Sequence, residues 1–406
     1  MPDVVIVADD LTGAADTGIA FAVVGLPTFV AFGDAPPPPG VQIVAVDTDT
    51  RRMDPGAAVP RVRAAARRAY RDGARTVYKK IDSTLRGHVA LETAALVEGA
   101  ATEGRDRVLV IAAPAFPPLG RTTRNGRIFV RGTPLEETEV WRDSRMTGSA
   151  DLVELFRGAG LRARGAPLEL VRGGGLHAFL QSAGADVVVC DAEEDGDLLA
   201  IAQAGARVAN PVIWLGSGGL ARHLPLALEL RPVPGSETPS LRKSAGPVLT
   251  LVGSRSSVSR EQAKRLGEDP DVETLTLEPE GLLRGDAAAG EAVRRALATG
   301  RDVTVVIGLG GAIDPARESE LAIALGRVAA AHAGNIAGLV ATGGDTARGA
   351  LTALGATGVY LAGEVEPGVP IGIANAHKRL PLITKAGAFG TPDTLRRCRA
   401  ALRGGG

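Results

Sequence analysis

Ionisable side chains gather directly after the apolar segments in the first half of the chain. The first of these segments runs into Asp9 and Asp10, and a later one contains Lys80 and leads to Asp82. Carboxylates accept protons from hydroxyl groups, whereas Lys80 and Arg51 carry the charge that binds a carboxylate. This set of residue types predicts a site for a small acidic, hydroxylated substrate.

Asp9 and Asp10 are expected to do different jobs. Neighbouring residues of a strand point to opposite faces of a sheet, and aspartate and threonine also cap helix N-termini. If Asp10 or Thr12 caps the following helix, Asp9 is the carboxylate that faces the ligand. Turn chemistry alone does not account for this concentration of charge, so we interpret the segment as the wall of a site that also caps a helix.

Glycine and hydroxyl residues follow the apolar segments in the second half. Ser254 lies in a Gly-Ser turn, and Gly343, Gly344, Asp345 and Thr346 precede the helical pattern ARGALTAL. Glycine lets backbone N–H groups approach an oxyanion, and the N-terminus of the following helix adds a partial positive charge. Both turns are typical of phosphate binding, although the same residues also form ordinary caps and turns.

Several functional classes lack their motifs. The chain contains no G-x-x-x-x-G-K-[ST], G-x-G-x-x-G, His-Glu-x-x-His or paired-cysteine pattern, which excludes a P-loop, a dinucleotide fingerprint and a dedicated zinc site. Lys+Arg and Asp+Glu both number 46 and aromatic residues make up 3%, so neither nucleic acid nor a membrane is an expected partner. With no signal peptide or membrane span apparent, we predict a cytoplasmic protein.

Lysine is rare in this chain, because it supplies only six of the 46 basic residues. Where arginine is used by default, a remaining lysine indicates a place that needs a compact ammonium group. Lys79 and Lys80 are adjacent, which either marks such a place or is a coincidence.

Short apolar segments alternate with helical patterns along the whole chain. Continuous apolar strands in this alternation predict an α/β fold made of two α/β domains with largely parallel sheets. In such sheets ligands bind beyond the carboxyl ends of the strands, which is where the residues above lie. The predicted strands are 4–8, 28–32, 42–47, 76–81, 108–113, 186–191, 211–216, 248–253, 272–277, 303–309, 337–343, 359–365 and 381–387.

Residues 231–246, RPVPGSETPSLRKSAG, have no apolar periodicity and are rich in proline, serine and glycine. This composition predicts a linker between an N-terminal domain, 1–230, and a C-terminal domain, 247–406.

A second polar stretch, GRTTRNGR at 120–127, fits either a basic phosphate-binding loop or a solvated hairpin. We favour a loop that closes over the substrate site.

Six stretches in a fixed order resemble the four-carbon acid sugar kinase family: ADDLTGAADTG, KKIDSTLRG, PAFPPLGRTT, TGGDTA, GEVEPGVP and TKAGAFG. The resemblance covers the chain from residue 4 to about 390. It implies an N-terminal sugar-acid domain, a C-terminal nucleotide domain and an active site in the interdomain cleft. The implied reaction is ATP-dependent phosphorylation of the terminal hydroxyl of threonate, erythronate or 3-oxo-tetronate.

The resemblance also implies two sets of site residues. The substrate set is Asp9, Asp10, Arg51, Lys80, Ile81, Asp82, Ser83 and Arg86, and the nucleotide set is Ser254, Gly343, Gly344, Asp345, Thr346 and Gly387. In the mechanism we expect, Arg51 and Lys80 hold the sugar-acid carboxylate, and Asp9 or Asp82 orients the hydroxyl and accepts its proton as the catalytic base. Mg²⁺ bridges the ATP phosphates with few protein ligands, and positioning supplies most of the catalysis.

The chain departs from the family pattern at three places. His88 stands where many members carry Asn, Ala386 and Ala388 flank Gly387 where members often have Ser and Asn, and GGDT replaces GGET. The glycine backbone of the nucleotide turns is kept, whereas His88 bears on which acid is bound. A larger or different hydroxy acid is therefore an alternative substrate.

Other classes explain less of the pattern. A non-catalytic sugar-acid sensor gives the glycine-rich turns of the second half no role, and an α/β oxidoreductase needs the dinucleotide fingerprint that is missing. The sequence leaves open whether the protein is a homodimer.

Overall fold

A computed structural model describes residues 1–33, 35–236, 239–241, 245–308 and 317–404. By their contacts the residues divide into two compact units. Unit 1 contains Met1–Thr28 and Pro38–Ser236, and unit 2 contains the described part of Phe29–Pro37 and of 237–406. The predicted linker lies partly outside the described residues, and the domain boundaries drawn from it stay a prediction.

Most of the strands are short, apolar and buried along most of their length, as in sheets covered on both faces. They are β1 (Val4–Ala8), β2 (Thr28–Phe32), β3 (Ile43–Asp47), β4 (Thr76–Lys80), β5 (Leu109–Ala113), β6 (Arg121–Arg124), β7 (Arg127–Val130), β8 (Thr133–Pro134), β9 (Ala163–Ala166), β10 (Val187–Cys190), β11 (Val212–Gly216), β12 (Val248–Val252), β13 (Val272–Leu277), β14 (Asp302–Ile307), β15 (Gly338–Thr342), β16 (Gly358–Glu366), β17 (Val369–Ala374) and β18 (Leu380–Lys385).

The helices lie between these strands and begin at polar caps such as Asp10 and Asp54. They are α1 (Leu11–Ala22), α2 (Pro55–Arg71), α3 (Val89–Thr102), α4 (Glu139–Asp143), α5 (Leu152–Gly158), α6 (Leu168–Arg172), α7 (Leu176–Gln181), α8 (Asp195–Ala206), α9 (Gly218–Ala221), α10 (Leu224–Ala227), α11 (Ser257–Gly267), α12 (Pro279–Leu283), α13 (Ala287–Ala298), α14 (Glu318–Ala330), α15 (Gly344–Ala353) and α16 (Thr394–Arg403). Within the described ranges, none of them combines the length and apolarity that crossing a membrane requires.

The main sheet of unit 1 has the order β3-β1-β4-β11-β5-β10-β9, and every neighbouring pair is parallel. Its register places Asp47, Ala8, Lys80, Gly216 and Ala113 side by side at the carboxyl edge. The chain runs from β1 to β3 on one side and then crosses to β4 on the other. Such a reversal of strand order is where open α/β sheets bind ligands.

The segment GRTTRNGR forms a hairpin and not a loop. β6, β7 and β8 make a small antiparallel sheet, and the β6–β7 turn places Asn125 and Gly126 at φ 50° and 73°. The Asp191 carboxylate accepts hydrogen bonds from both turn N–H groups, at 2.6 and 2.9 Å. Positive φ at both central residues matches the right-handed twist of a hairpin, so the favoured loop interpretation was wrong.

The sheet of unit 2 has the order β13-β14-β12-β15-β18-β17-β16, with β2 beside β16. The first five strands are parallel, and β17 is antiparallel to both of its neighbours. Val252, Thr342 and Lys385 lie side by side at the carboxyl edge. The strand order reverses between β12 and β15, so the residues after these two strands border the expected ligand position.

The predicted α/β fold with largely parallel sheets is confirmed. All predicted strands are present, and their described ends lie within two residues of the expectation. The sequence did not predict β6–β9 or β17. The placement of the active site in a cleft between domains stays a prediction.

Candidate functional site

The first cluster of ionisable residues lies at the carboxyl edge of the unit 1 sheet. Asp9 and Asp10 follow β1, Arg51 lies in the loop after β3, and Asp82 follows β4. The N–H of Arg51 donates to the Asp9 carbonyl at 3.2 Å, which holds these two loops together. Three segments distant in sequence therefore meet at one point.

Arg51 is the centre of this cluster. Its guanidinium donates from Nε and Nη2 to Asp9 at 2.7 and 2.9 Å, and from Nη1 and Nη2 to Asp10 at 2.8 Å each. Asp9 and Asp10 therefore share a partner instead of pointing to opposite faces, because β1 ends at Ala8 and the strand alternation stops there. Four of the five guanidinium hydrogens are already used, which leaves little capacity to bind a substrate carboxylate.

Asp10, one of the two predicted candidates, also caps helix α1. Its carboxylate accepts from the Gly13 N–H at 2.9 Å and from the Thr12 hydroxyl at 2.7 Å. Burial acts to raise the pKa of Asp10, but Arg51, Lys80 and the Thr12 hydrogen bond together hold it below its usual range. The carboxylate is therefore ionised at neutral pH.

Asp82 is held by the turn that follows it. Arg86 donates from Nε and Nη2 to the Asp82 carboxylate at 2.8 Å each, and the Thr84 hydroxyl also donates to it. Burial acts to raise the pKa of Asp82, but Arg86 and Arg51 and these hydrogen bonds hold it well below its usual range. A carboxylate with so low a pKa orients a hydroxyl group by accepting its hydrogen bond, but it is a weak base.

The remaining predicted substrate residues lie beside this cluster. The buried Lys80 ammonium donates to the Ile81 carbonyl at 2.7 Å, and its charge lowers the pKa of Asp10. The Ile81 side chain is buried, and Ser83 is half-buried in the turn. His88 lies at the start of α3, with Nε2 2.7 Å from the Met53 carbonyl oxygen, so it fastens the loop after Arg51.

Sequence reasoning missed two further features of unit 1. Lys79 forms an ion pair with Glu92 at 2.6 Å, and both side chains are almost completely buried. Arg121, at the base of the hairpin, donates from Nη1 to the Leu119 carbonyl at 2.6 Å. Its Nε is buried without a hydrogen-bond partner in the described part of the chain. Burial lowers the pKa of Arg121, whereas the nearby Asp82 carboxylate raises it.

The second cluster lies at the carboxyl edge of the unit 2 sheet. Ser254 follows β12, Gly343 follows β15 and Gly387 follows β18. Gly343 has φ 103°, and its N–H donates to the Lys385 carbonyl at 2.9 Å. A Cβ at Gly387 would clash with the Ser254 hydroxyl, so the absence of a side chain at Gly387 lets these two turns pack closely.

Helix α15 begins inside this cluster. Gly343 is its N-cap and provides no side-chain cap. Gly344 and Asp345 are half-buried in the first turn, and Thr346 is buried. The uncapped N–H groups of a first turn are a ready site for an anion. The structure therefore brings all six predicted nucleotide residues to one edge of unit 2.

Lys385 lies beneath these turns and was not predicted as a site residue. It is fully buried, and its Nζ donates to Thr342 Oγ1 at 3.1 Å and to the Ala386 carbonyl at 3.0 Å. Burial lowers its pKa to about 8. The rarity of lysine was the available signal, because three of the six lysines, Lys79, Lys80 and Lys385, are buried.

Residues 4–224 of the chain match the family described as "Sugar-binding N-terminal domain", and residues 249–395 match "Nucleotide-binding C-terminal domain". A D-threonate kinase from Cupriavidus necator is 43% identical over 96% of this chain and 95% of the relative. A D-threonate kinase from Bordetella bronchiseptica is 34% identical over 99% and 98%, and a D-erythronate kinase from Heliobacterium modesticaldum is 30% identical over 98% and 96%.

Solved structures share the fold. One from Salmonella typhimurium LT2 superposes with a TM-score of 0.80 at 24% identity, over 97% of this chain and 98% of the other. A second, from Bordetella bronchiseptica, is a domain-swapped dimer with bound citrate. It has a TM-score of 0.50 at 32% identity over 99% of both chains. At 24% identity, the likeness to the structure from Salmonella typhimurium concerns the fold alone.

A sugar-binding domain followed by a nucleotide-binding domain, with an ionisable cluster in one and glycine turns in the other, defines a kinase of a small hydroxylated acid. The predicted class, a phosphotransferase with a hydroxyl acceptor and a nucleotide co-substrate, is confirmed by the relatives. The chain belongs to the four-carbon acid sugar kinase family.

Proposed function

We propose that the protein transfers the terminal phosphoryl group of ATP to the terminal hydroxyl of D-threonate. The support is the 43% identity to a D-threonate kinase over nearly the whole of both chains. The observation that carries the chemistry is the cluster of Asp9, Asp10 and Asp82 held by Arg51 and Arg86. Three fixed carboxylates can orient the hydroxyl groups of a small polyol acid.

In this proposal Arg51 holds the two aspartates in place and does not bind the sugar-acid carboxylate. Its four hydrogen bonds to Asp9 and Asp10 support this change from the expectation based on sequence. Asp82 orients the reacting hydroxyl and accepts its proton as the new P–O bond forms. Phosphoryl transfer through a loose transition state does not require a strong base, so the low pKa of Asp82 suits this role.

The sugar-acid carboxylate needs a cation that is not already paired, and we assign Arg121. Arg51, Arg86 and Lys80 face the three cluster carboxylates, whereas Arg121 forms no ion pair among the described residues and has an unpartnered buried Nε. A guanidinium can bind a carboxylate through two parallel hydrogen bonds.

Arg121→Gln should raise the KM for the acid at least tenfold and change kcat little, while Arg124→Gln in the same hairpin serves as control.

The nucleotide phosphates are assigned to Ser254, the turn Gly343–Thr346 and Gly387, where backbone N–H groups and the α15 N-terminus meet. Within the described residues no group of three or more His, Cys, Asp or Glu side chains is arranged to hold a metal ion. Mg²⁺ therefore fits best as part of the nucleotide complex, held by phosphate oxygens and water. When bound, it neutralises charge on the phosphates.

The test is a coupled assay of ADP release with Mg-ATP against D- and L-threonate, D- and L-erythronate and the 3-oxo acids. The expected result is turnover with D-threonate at the highest kcat/KM. A clear preference for another member, or for a larger hydroxy acid, would replace the substrate and keep the reaction class. Binding of an acid without any ADP release would favour the non-catalytic sensor.

Two further proposals concern the cellular setting. A cytoplasmic location agrees with the consumption of ATP and with Cys190 and Cys398, which are both buried free thiols.

Assembly as a homodimer agrees with the relative from Bordetella bronchiseptica, whose structure is a domain-swapped dimer. Light scattering of the purified protein measures that state directly.

A further inference from the structure

Lys385 is a buried cation that has no carboxylate within ion-pair distance in the described part of the chain. It ends strand β18 and is 0% exposed, and no described residue forms an ion pair with it. A buried ammonium is costly unless its charge is compensated. The chain nevertheless keeps lysine here, although arginine supplies most of its basic residues.

The contacts of Lys385 lie under the nucleotide turns. Its Nζ donates to the carbonyls of Ala386 and Gly387 at 3.0 and 3.3 Å, and lies 3.1 and 3.4 Å from the hydroxyls of Thr342 and Ser259. The Ser259 hydroxyl in turn donates to the Gly387 carbonyl at 2.7 Å. The two carbonyl oxygens of the 386–387 turn are therefore held on the Lys385 side.

All of these oxygen partners are uncharged, so they solvate the ammonium without neutralising it. The turn above it carries Gly387, which packs against Ser254, and the Lys385 carbonyl accepts from the Gly343 N–H at 2.9 Å. Lys385 thus contacts the 386–387 turn through its ammonium and Gly343 through its carbonyl, and both belong to the turns to which we assign the phosphates. A nucleotide bound there would bring several negative charges close to this cation.

We propose that Lys385 is a positioning residue of the nucleotide site, whose ammonium fixes the carbonyls of the 386–387 turn and supplies the positive charge that bound phosphates neutralise. This proposal rests on the proposed nucleotide site. A purely structural lysine would hold the turn equally well with or without nucleotide. The proposed role differs because it makes nucleotide affinity depend on the charge of Lys385.

The sign of this dependence follows from the pKa. Burial places the pKa of Lys385 at about 8 in the free protein, and phosphates nearby favour the charged form and raise it in the complex. Nucleotide binding should therefore take up a proton above pH 8, and affinity should fall by roughly tenfold per pH unit there. The phosphate itself does not titrate in this range, because its last pKa is about 6.

Other groups near Lys385 do not produce this effect. Burial raises the pKa of the Cys398 thiol to about 12, so it stays neutral. The Glu366 carboxylate acts to raise the pKa of Lys385, but it is itself engaged by the Arg397 guanidinium at 2.8 Å and by the Thr394 hydroxyl. On α11 and β15 the facing groups are the hydroxyls of Ser259 and Thr342, which do not ionise.

The experiment is calorimetric titration of the full-length protein with Mg-ADP at pH 7, 8 and 9, in buffers of different ionisation enthalpy. The proposal expects proton uptake approaching one per nucleotide at pH 9, little at pH 7, and an affinity at least tenfold weaker for Lys385→Met at pH 7. Lys378→Met, which removes an exposed lysine of unit 2 that donates to the Gly334 carbonyl, is the matched control. The wild-type titration needs no variant, so a Lys385→Met protein that fails to fold does not end the test.

Binding of Mg-ADP without proton uptake at pH 9, or a Lys385→Met affinity within twofold of wild type, would overturn the role of Lys385 and leave the proposed kinase intact. If the wild-type protein bound no Mg-ADP at any pH, the nucleotide site itself would be wrong, and both proposals would fall. The KM for the sugar acid should be the same in Lys385→Met and wild type, because that acid is bound by unit 1.

Discussion

At the scale of single residues, Arg51 is the centre of the unit 1 site, because its guanidinium forms hydrogen bonds to two carboxylates, Asp9 and Asp10. Removing it leaves the buried Asp9 and the half-buried Asp10 adjacent and without the cation they share, and breaking a buried pair in this way typically costs about 3–5 kcal/mol. We therefore expect Arg51→Ala to lower kcat by at least a hundredfold and to destabilise unit 1. Steady-state kinetics and urea unfolding measure the two effects.

The neighbouring exposed residue offers a control for that change. Arg52→Ala removes an equal charge one position away and should leave kcat within a few-fold of wild type. If Arg51→Ala instead raised only the KM for the sugar acid, Arg51 would be the carboxylate anchor after all, and Arg121 would lose the role assigned to it.

The low pKa of Asp82 predicts how the free energy of unfolding changes with pH. Its pKa is held well below the usual range in the folded protein, so its stabilising interactions are fully present above the unfolded value of about 3.9. They are lost as the pH falls through the lower, folded value. The stability difference between wild type and Asp82→Asn should stay constant from pH 8 to 5 and shrink below pH 4, as measured by urea unfolding. A difference that already shrinks between pH 7 and 5 would contradict the low pKa.

At the scale of elements, the buried pair of Lys79 and Glu92 joins strand β4 to helix α3 and so fixes the turn that carries Asp82. Breaking a buried pair from one side leaves an uncompensated charge, whereas apolar replacement of both members is often neutral. Glu92→Gln and Lys79→Met should each destabilise unit 1 by about 3 kcal/mol, and the double variant Lys79→Met/Glu92→Leu by less than the sum.

Fluorescence is a suitable signal for that comparison, because both tryptophans of the chain, Trp141 and Trp214, lie in unit 1. A double-mutant cycle from urea unfolding then gives the coupling between the two charges. Additive effects would show that Lys79 and Glu92 contribute separately and that the 2.6 Å contact stabilises nothing.

An element can be predicted from the sequence when the residues that determine it are neighbours in the chain. The segments VVIVA and TFVAF predict β1 and β2 without error, because continuous apolar residues encode a buried strand locally. Strand β17 was missed because Pro370 and Gly372 interrupt its pattern, and the hairpin because its residues are polar. The cap of α1 was narrowed to Asp10 or Thr12, because helix capping also depends on the local sequence.

The pairings within the site could not be predicted in the same way. That Arg51 is shared by Asp9 and Asp10 depends on β3 lying next to β1, which is a property of the assembled sheet. Among the described residues Arg121 and Lys385 have no ion-pair partner, and this depends on every neighbour that surrounds them in the folded chain. Motifs therefore located the two clusters, whereas the partners, and with them the role of Arg51, required the structure.

At the scale of the whole molecule, the two units are not consecutive in sequence, because unit 2 takes the segment containing β2 from near the N-terminus. Phe29 packs edge-on against Tyr360 with ring centroids 4.9 Å apart, and the Phe32 N–H donates to the Thr357 carbonyl at 3.3 Å. A Cβ at Gly358 would clash with the Phe29 ring and the Val30 carbonyl, so this contact is close-packed. A cut at the predicted linker therefore removes a strand from unit 2.

This arrangement predicts the behaviour of a C-terminal fragment, 245–404. Without β2 the fragment loses the buried side chains of Phe29 and Val30, each contributing about 1.5–3 kcal/mol, and exposes the edge of β16. It should unfold at a lower temperature than a matched fragment with residues 27–37 joined to its N-terminus, and it should self-associate in size-exclusion chromatography. Equal melting temperatures and two monomers would mean that β2 is dispensable. The predicted domain division, with its boundary at 231–246, would then describe independent folding units better than the contacts do.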